Sequence, residues 1–100
     1  MDATADLSGI DRVIHEPARL AIVSVLGAFE TTDFLFLLKQ TNLSRGNLSS
    51  HLSKLESAGY VDITKEFVEK VPRTLIRLTD KGRDAIVIYR AEMDRILASL

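Results

Sequence analysis

Residues 44–55 combine side chains that can read DNA bases with the periodicity of a helix. Leu48, Leu52 and Leu55 recur at spacings of four and three, which predicts a helix that turns these leucines inward. Its other sides carry arginine, which can pair bidentately with guanine, asparagine, which can pair with adenine, and serine and lysine, which suit phosphates. The sequence therefore predicts a helix that enters the major groove of double-stranded DNA. Its candidate contacts are Ser44, Arg45, Asn47, Ser49, Ser50, His51 and Lys54.

Periodicity alone leaves a second interpretation open, an ordinary amphipathic helix with a serine-rich surface. The formal net charge of −1 argues at first against a nucleic-acid partner. However, residues 39–83 hold nine basic and five acidic side chains, a local balance of +4 that leaves −5 for the rest of the chain. A basic middle between acidic ends is typical of a DNA-binding protein with a separate assembly surface, because charge attraction is screened over about 10 Å. An ordinary solvated surface is the alternative.

A helix that reads DNA needs a sharp turn and a second helix before it. Asn42 lies at the expected turn, since asparagine tolerates the left-handed conformation that ends helices. Ser44 is predicted to cap the recognition helix, and Gly59 is predicted to end it. Thr31 or Thr32 is expected to cap the preceding helix, which carries the apolar residues of segment 34–38.

Two further helices are predicted near the start of the chain. Leu7, Ile10 and Ile14 recur at spacings of three and four, which indicates a short first helix. Pro17 closes that helix and can open the next, because its missing N–H is no loss at a first helical position. Residues 18–28 are apolar on nearly every side, as in a central core helix.

Downstream of the recognition helix, the sequence predicts a β-hairpin. Residues 60–66 and 74–78 are rich in β-branched and apolar side chains, and Pro72 lies in the loop between them. We expect its basic residues to touch phosphates, although solvent-facing strand and loop charges are the alternative. The candidate contacts on the hairpin are Lys65, Lys70, Arg73 and Thr74.

The C-terminal helix, predicted over residues 79–100, carries a stripe of the kind that packs on another helix. We expect this stripe to join the first helix and the symmetry mates of both in a homodimer. The alternative is that it covers the core of its own domain. A two-fold dimer would place two recognition helices about 34 Å apart on a pseudo-palindromic site. The predicted interface residues are Leu7, Ile10, Ile14, Ile86, Tyr89, Met93, Ile96 and Leu100.

The predicted order of elements is α-α-α-α-β-β-α, mainly α with a small β-hairpin and therefore α+β in class. All of it forms a single domain over residues 1–100, with a helix-turn-helix at about 31–58 and the hairpin at about 60–78. Apolar runs are too short to cross a bilayer, and no secretory signal begins the chain, so we expect a cytoplasmic protein.

Enzyme motifs are absent from the sequence. There is no G-x-S-x-G elbow, phosphate-binding loop, G-x-G-x-x-G or H-E-x-x-H pair, and there is no cysteine. His15 and His51 lie on different predicted helices without a second ligand at metal-binding spacing. We therefore expect no catalysis, no metal and no cofactor, and a structural role for His15.

The run of residues 42–61 resembles the recognition helix and first wing strand of winged helix-turn-helix regulators related to the MarR and ArsR families. Residues 15–20 resemble the start of their second helix. Residues 65–67 and 73–83 resemble the wing and the beginning of the dimer helix. Two departures stand out, since Asn42 occupies the turn where glycine is more frequent and the hairpin tip has no glycine.

This resemblance implies a winged-helix fold and a sequence-specific, double-stranded DNA-binding transcriptional regulator. It further implies a homodimeric repressor on a pseudo-palindromic operator, and it allows an unknown small-molecule effector near the dimer helix. The alternative is a winged helix that serves as a protein interaction module in a larger assembly.

Overall fold

The computed structural model describes residues 6–98 and residue 100, which form four helices and one three-stranded antiparallel sheet. The strand order in the sheet is β1-β3-β2. This arrangement is a winged-helix fold, and it confirms the predicted α+β class. In chain order the elements are α1 Pro17–Phe29, β1 Thr31–Asp33, α2 Phe34–Thr41, α3 Arg45–Ser57, β2 Val61–Val68, β3 Val71–Leu78 and α4 Asp80–Leu97.

The predicted short first helix is wrong, because residues 6–16 form turns. The Asp11 side chain accepts hydrogen bonds from the N–H groups of Val13 and Ile14 at 2.8 and 3.2 Å. Such local side-chain bonds compete with helical ones. Helix α1 then begins at Pro17, as expected, and the Glu16 carboxylate caps it by accepting from the first free N–H groups.

A second correction concerns the cap of α2. Thr31 and Thr32 do not cap this helix but belong to strand β1, where they pair with Arg77 and Ile76 of β3. Asp33 is the cap, and its carboxylate accepts from the N–H group of Phe36 at 2.7 Å. Two β-branched residues beside a free strand edge favour pairing over capping.

Thr32 has a buried hydroxyl group that makes no hydrogen bond with the described residues. Its side chain is 8% exposed, and its Oγ1 has no hydrogen-bond partner among the described residues. Burying an unpaired hydroxyl costs roughly 1 to 3 kcal/mol.

Replacing Thr32 with valine should therefore raise the free energy of unfolding by about 1 kcal/mol, because valine fills the same space without a polar atom. Urea denaturation would measure the change. Thr31→Val is the matched control, since Thr31 is exposed in the same strand and its replacement should stay within about 0.5 kcal/mol. A loss of stability in Thr32→Val would show that its hydroxyl is bonded.

The core lies between helices α1, α2 and α3 and the sheet. Leu48, Leu52 and Leu55 of α3 are buried, as their spacing predicts. The largest fully buried side chains are Ile14, Ile22, Leu26, Leu37, Leu48, Leu55, Ile76 and Val61.

The connection between α2 and α3 has the predicted form. Asn42 adopts a left-handed conformation with φ 57°, and Ser44 Oγ accepts from the N–H group of Asn47 at 3.2 Å to cap α3. Only residues 42–44 separate the two helices, which gives the compact turn of a helix-turn-helix. Gly59, with φ 82°, follows the end of α3.

The β2–β3 hairpin, called the wing from here on, is longer than predicted. The expected loop is reduced to Glu69 and Lys70, both left-handed, with φ 51° and 67°. Two left-handed residues form the tight turn that matches the twist of paired strands, here without the usual glycine or asparagine. Pro72 pairs with Phe67, and β1 reaches only residues 75–77 of β3. Pro72 thus lies where β3 has a neighbour on one side only, which a proline tolerates.

Much of the predicted dimer stripe of α4 packs against the core of its own chain. Tyr89 of α4 is buried, with an exposure of 8%, as are Ile10 and Ile14 of the N-terminal turns, with exposures of 7% and 0%, and Tyr89 Oη lies 2.9 Å from His15 Nδ1. Ile86, Met93 and Ile96 are partly buried against the same core, whereas Leu7 and Leu100 are exposed. Among the predicted interface residues, Ile10, Ile14 and Tyr89 are therefore covered by their own chain, and the dimer itself stays a prediction. None of the helices in the described residues has the length and hydropathy needed to span a membrane.

Candidate nucleic-acid interface

Helix α3 presents a ridge of small side chains on the side opposite its buried leucines. Gly46, Ser50, Ser53 and Ser57 follow one another at spacings of four, three and four, and all four are exposed. Small side chains allow the helix backbone to approach a groove closely. Ser53 and Ser57 are not among the contacts predicted from the sequence, although their spacing from the buried leucines already placed them on this side of the helix.

The predicted contacts on α3 lie on this ridge or on its two sides, with one exception. His51 is half-buried, because its Nδ1 lies 3.1 Å from Arg19 Nη1 and 3.4 Å from Glu16 Oε2. His51 therefore ties α3 to the start of α1. Exposed to solvent are Ser44, Arg45, Asn47, Ser49, Ser50 and Lys54.

The charge on Glu16 is retained in this contact. Burial opposes ionisation of its carboxyl group, yet two amide donors of the first helical turn and the neighbouring His51 and Arg19 side chains lower the pKa of Glu16. The Glu16 carboxylate lies 3.7 Å from Arg19 Nη1 and so offsets the charge of that guanidinium.

One side of α3 faces the wing across an open groove of about 620 Å³. The groove brings together four of the predicted DNA contacts, Arg45 and Ser49 of the helix and Lys65 and Thr74 of the wing. Glu56 is the one carboxylate among the described residues that line it. Thr74 is half-buried, whereas Lys65 is exposed.

Arg73 differs from the other basic residues of the wing because it already has a partner. Its Nη2 donates to the Asp33 carboxylate at 2.8 Å. The Phe36 amide and then the Arg73 guanidinium hold the pKa of Asp33 below its ordinary value. Lys70 lies exposed at the wing tip. A phosphate near Arg73 would have to compete with Asp33, whereas Lys70 needs no such exchange.

Asp33→Asn should make stability less dependent on pH. A carboxylate with a lowered pKa stabilises the fold above its unfolded value, about 3.9, and that contribution is lost as pH falls through the folded pKa. Asparagine can still cap α2, so the cost at neutral pH should come from the lost ion pair with Arg73, up to about 1 kcal/mol, and the difference from the unsubstituted protein should shrink in acid. Urea unfolding at several pH values would measure it. Asp62→Asn is the control, because Asp62 pairs with Arg77 on a surface where both side chains are more than half exposed.

Basic side chains divide into two groups by their partners. On α3, the wing and the turn beside them, several cations have no carboxylate within 4.0 Å among the described residues. This unpaired group comprises Arg12, Arg45, Lys54, Lys65 and Lys70, and Lys39, Lys81 and Arg90 are unpaired elsewhere. The paired group comprises Arg19, Arg73, Arg77, Arg83 and Arg95. Uncompensated positive charge therefore collects around α3, despite a net charge of −1.

Comparison with known families agrees with this geometry. The sequence profile of the family described as "Winged helix DNA-binding domain" matches residues 18–97. An uncharacterized protein of Methanocaldococcus jannaschii is 34% identical over 82 residues, which cover 82% of this chain and 89% of that protein. The uncharacterized HTH-type transcriptional regulator YdgJ of Bacillus subtilis is 28% identical over 103 residues, which cover 94% of this chain but only 62% of YdgJ.

Solved structures show the same fold. The transcriptional regulator homologue of Pyrococcus horikoshii has a TM-score of 0.84 and 27% identity, with 89% of this chain and 88% of that chain covered. A MarR-family transcriptional regulator of Silicibacter pomeroyi has a TM-score of 0.62 and 21% identity, with 87% and 56% covered. The second likeness is one of fold, and this chain spans little more than half of that protein. This chain belongs to the winged helix DNA-binding domain family and is a DNA-binding regulator with the fold of MarR proteins.

Proposed function

We propose that the protein is a homodimeric transcriptional repressor that binds a pseudo-palindromic operator and blocks access to it. Helix α3 would lie in the major groove, and the wing would contact the backbone beside it. The observation that carries this proposal is the small-residue ridge of α3, which has unpaired cations on both sides and buried leucines behind it.

Arg45 and Asn47 are proposed to read bases. Both are exposed in the first turn of α3, and the N-terminal residues of a recognition helix are the ones that meet base edges. Lys54, Lys65 and Lys70 are proposed to bind phosphates, since all three are exposed and unpaired among the described residues. Phosphate contacts fix the register of the protein without reading sequence.

The proposed dimer uses apolar side chains that the single chain leaves exposed. On α4, Val87 and Ile88 are 63% and 60% exposed, and Leu97 is 48% exposed near its end. Leu7 and Leu100 are exposed at 52% and 97%. Adjacent exposed apolar side chains, such as Val87 and Ile88, are typical of association sites. A two-fold axis would bring the same surface of each copy together.

Ile88→Glu should abolish the dimer, because it would bury two carboxylates at an apolar contact. Light scattering should give twice the chain mass of 11.1 kDa for the unsubstituted protein and a single chain mass for the variant. Gln40→Glu is the control, since it adds the same charge on an exposed position of α2. A dimeric Ile88→Glu variant would contradict the proposed interface.

The proposal includes a small-molecule effector that binds beside α4. An open cavity of about 700 Å³ lies there, with Asp11, Tyr60, Lys81 and Ile88 in its lining. Tyr60 Oη donates a hydrogen bond to the Asp11 carboxylate, and burial and then this carboxylate raise the pKa of Tyr60 to about 12. A compound that occupies the cavity should raise the melting temperature and change the affinity for DNA.

A salt-dependent binding titration against a pool of genomic fragments tests the function. Between roughly 50 and 200 mM salt, the logarithm of the affinity should fall with the logarithm of salt by about 0.9 per neutralised phosphate. Sequencing of the retained fragments should show an inverted repeat. Absence of binding at low salt would contradict the proposal and favour a protein partner for the same surface.

A further inference from the structure

A second groove lies on the side of α3 that faces away from the wing. It has a volume of about 510 Å³ and runs between the N-terminal turn segment and the second half of the helix. Its lining contains three basic side chains, two serine hydroxyls and no carboxylate among the described residues. The lining residues are Arg12, Val13, Arg19, Ser53, Lys54, Ser57 and Ala58.

Arg19 fastens the turn segment to the recognition helix. Its Nε donates to the Val13 carbonyl oxygen at 2.5 Å, and its Nη2 donates to the Arg12 carbonyl oxygen at 3.5 Å. Its Nη1 lies 3.1 Å from Nδ1 of His51 in α3. Because the Arg19 side chain is only 11% exposed, these contacts position the backbone of Arg12 beside α3.

The positive charge of this groove is not offset evenly. Glu16 lies 3.7 Å from Arg19 and offsets its charge. Arg12 and Lys54 are exposed and have no carboxylate within 4.0 Å among the described residues. Guanidinium, ammonium and serine hydroxyl groups are the side-chain donors that usually contact DNA phosphates.

We propose that Arg12 and Lys54, together with the hydroxyls of Ser57 and of Ser53, which lies on the ridge and lines both grooves, form a phosphate-binding groove on the far side of the recognition helix. The wing holds the DNA backbone on one side of α3, and Arg12 holds it on the other. A helix whose outer ridge is small gains its register from such contacts on both sides. This inference rests on the proposed DNA-binding function, and it adds a segment outside the helix-turn-helix and the wing to the binding surface.

Arg12→Gln tests the inference, because it removes the charge but keeps much of the side-chain length. The salt slope of DNA binding should decrease by about 0.9 for each bound protomer. The affinity should fall equally for the selected repeat and for an unrelated duplex, since a phosphate carries no sequence information. Arg12→Lys should retain the slope. Arg90→Gln is the matched control, an exposed arginine of α4 that is unpaired among the described residues.

The outcomes separate this inference from the function on which it rests. Normal binding by Arg12→Gln with an unchanged slope would overturn the phosphate groove and leave the DNA-binding function intact. A loss confined to the selected repeat would also overturn it, because Arg12 would then be reading bases. Absence of DNA binding by the unsubstituted protein would overturn both. Combining Arg12→Gln with Lys54→Gln should lower the slope by about 1.8 per protomer, which checks that both residues contact phosphate.

Discussion

Replacing Gly82 with alanine should destabilise the protein by roughly 3 kcal/mol or more, a large part of a typical domain stability. A Cβ atom at this position would lie 2.2 Å from the carbonyl oxygen of Tyr60 and 2.9 Å from Leu78 Cδ1. The carbonyl group cannot simply withdraw, because it accepts a hydrogen bond from the Thr79 N–H group at 3.0 Å. The first turn of α4 would have to separate from the start of β2.

Urea or thermal unfolding of Gly82→Ala would measure this loss. Gly27→Ala is the matched control, because Gly27 is exposed in α1 and, outside its own helix backbone and chain neighbours, no described atom lies within 4 Å of its added Cβ. There, alanine should stabilise the helix by up to about 1 kcal/mol. Equal stability of Gly82→Ala and the unsubstituted protein would mean that α4 does not pack as closely on Tyr60 as described.

The second large effect should come from the pair Arg45→Ala and Asn47→Ala. Each bidentate contact with a base contributes about 1 to 3 kcal/mol, so each substitution should weaken operator binding by roughly 5- to 150-fold. Both side chains are exposed, and the Ser44 cap uses the backbone N–H of Asn47 and not its side chain. Folding should therefore survive.

Two measurements decide the outcome for this pair. Circular dichroism and thermal unfolding should match those of the unsubstituted protein, while titration with the selected repeat should show the loss. Arg90→Ala provides a control that removes one cation from α4. Retention of full affinity by both variants would contradict base reading by α3 and favour a protein partner.

Local patterns were sufficient to predict the recognition helix and its cap. Leu48, Leu52 and Leu55 set its inner side, and Ser44 and Asn42 define its start, all within a few turns of chain. The first strand could not be predicted in this way. Thr31 and Thr32 become a strand only because β3 offers pairing partners more than 40 residues away.

The dimer stripe shows a different limit of sequence reasoning. The spacing of Tyr89 with its neighbours indicated a buried face, but periodicity does not say which surface covers it. In the structure, Tyr89 belongs to the buried core of its own chain, together with Ile10 and Ile14. The phosphate groove has a similar origin, because Arg19 and His51 meet across 32 positions of sequence.

The wing is held unevenly along its length. Near its base, β3 is paired with both neighbouring strands, whereas β1 ends its pairing at residue 75. Residues 64–73 are all exposed, so the distal half is a two-stranded ribbon without core contacts. Its amides should exchange with solvent deuterium much faster than those at the base. The outer wing is therefore the compliant part of the proposed DNA-binding surface, and we expect it to follow backbones of different groove width while α3 keeps a fixed orientation.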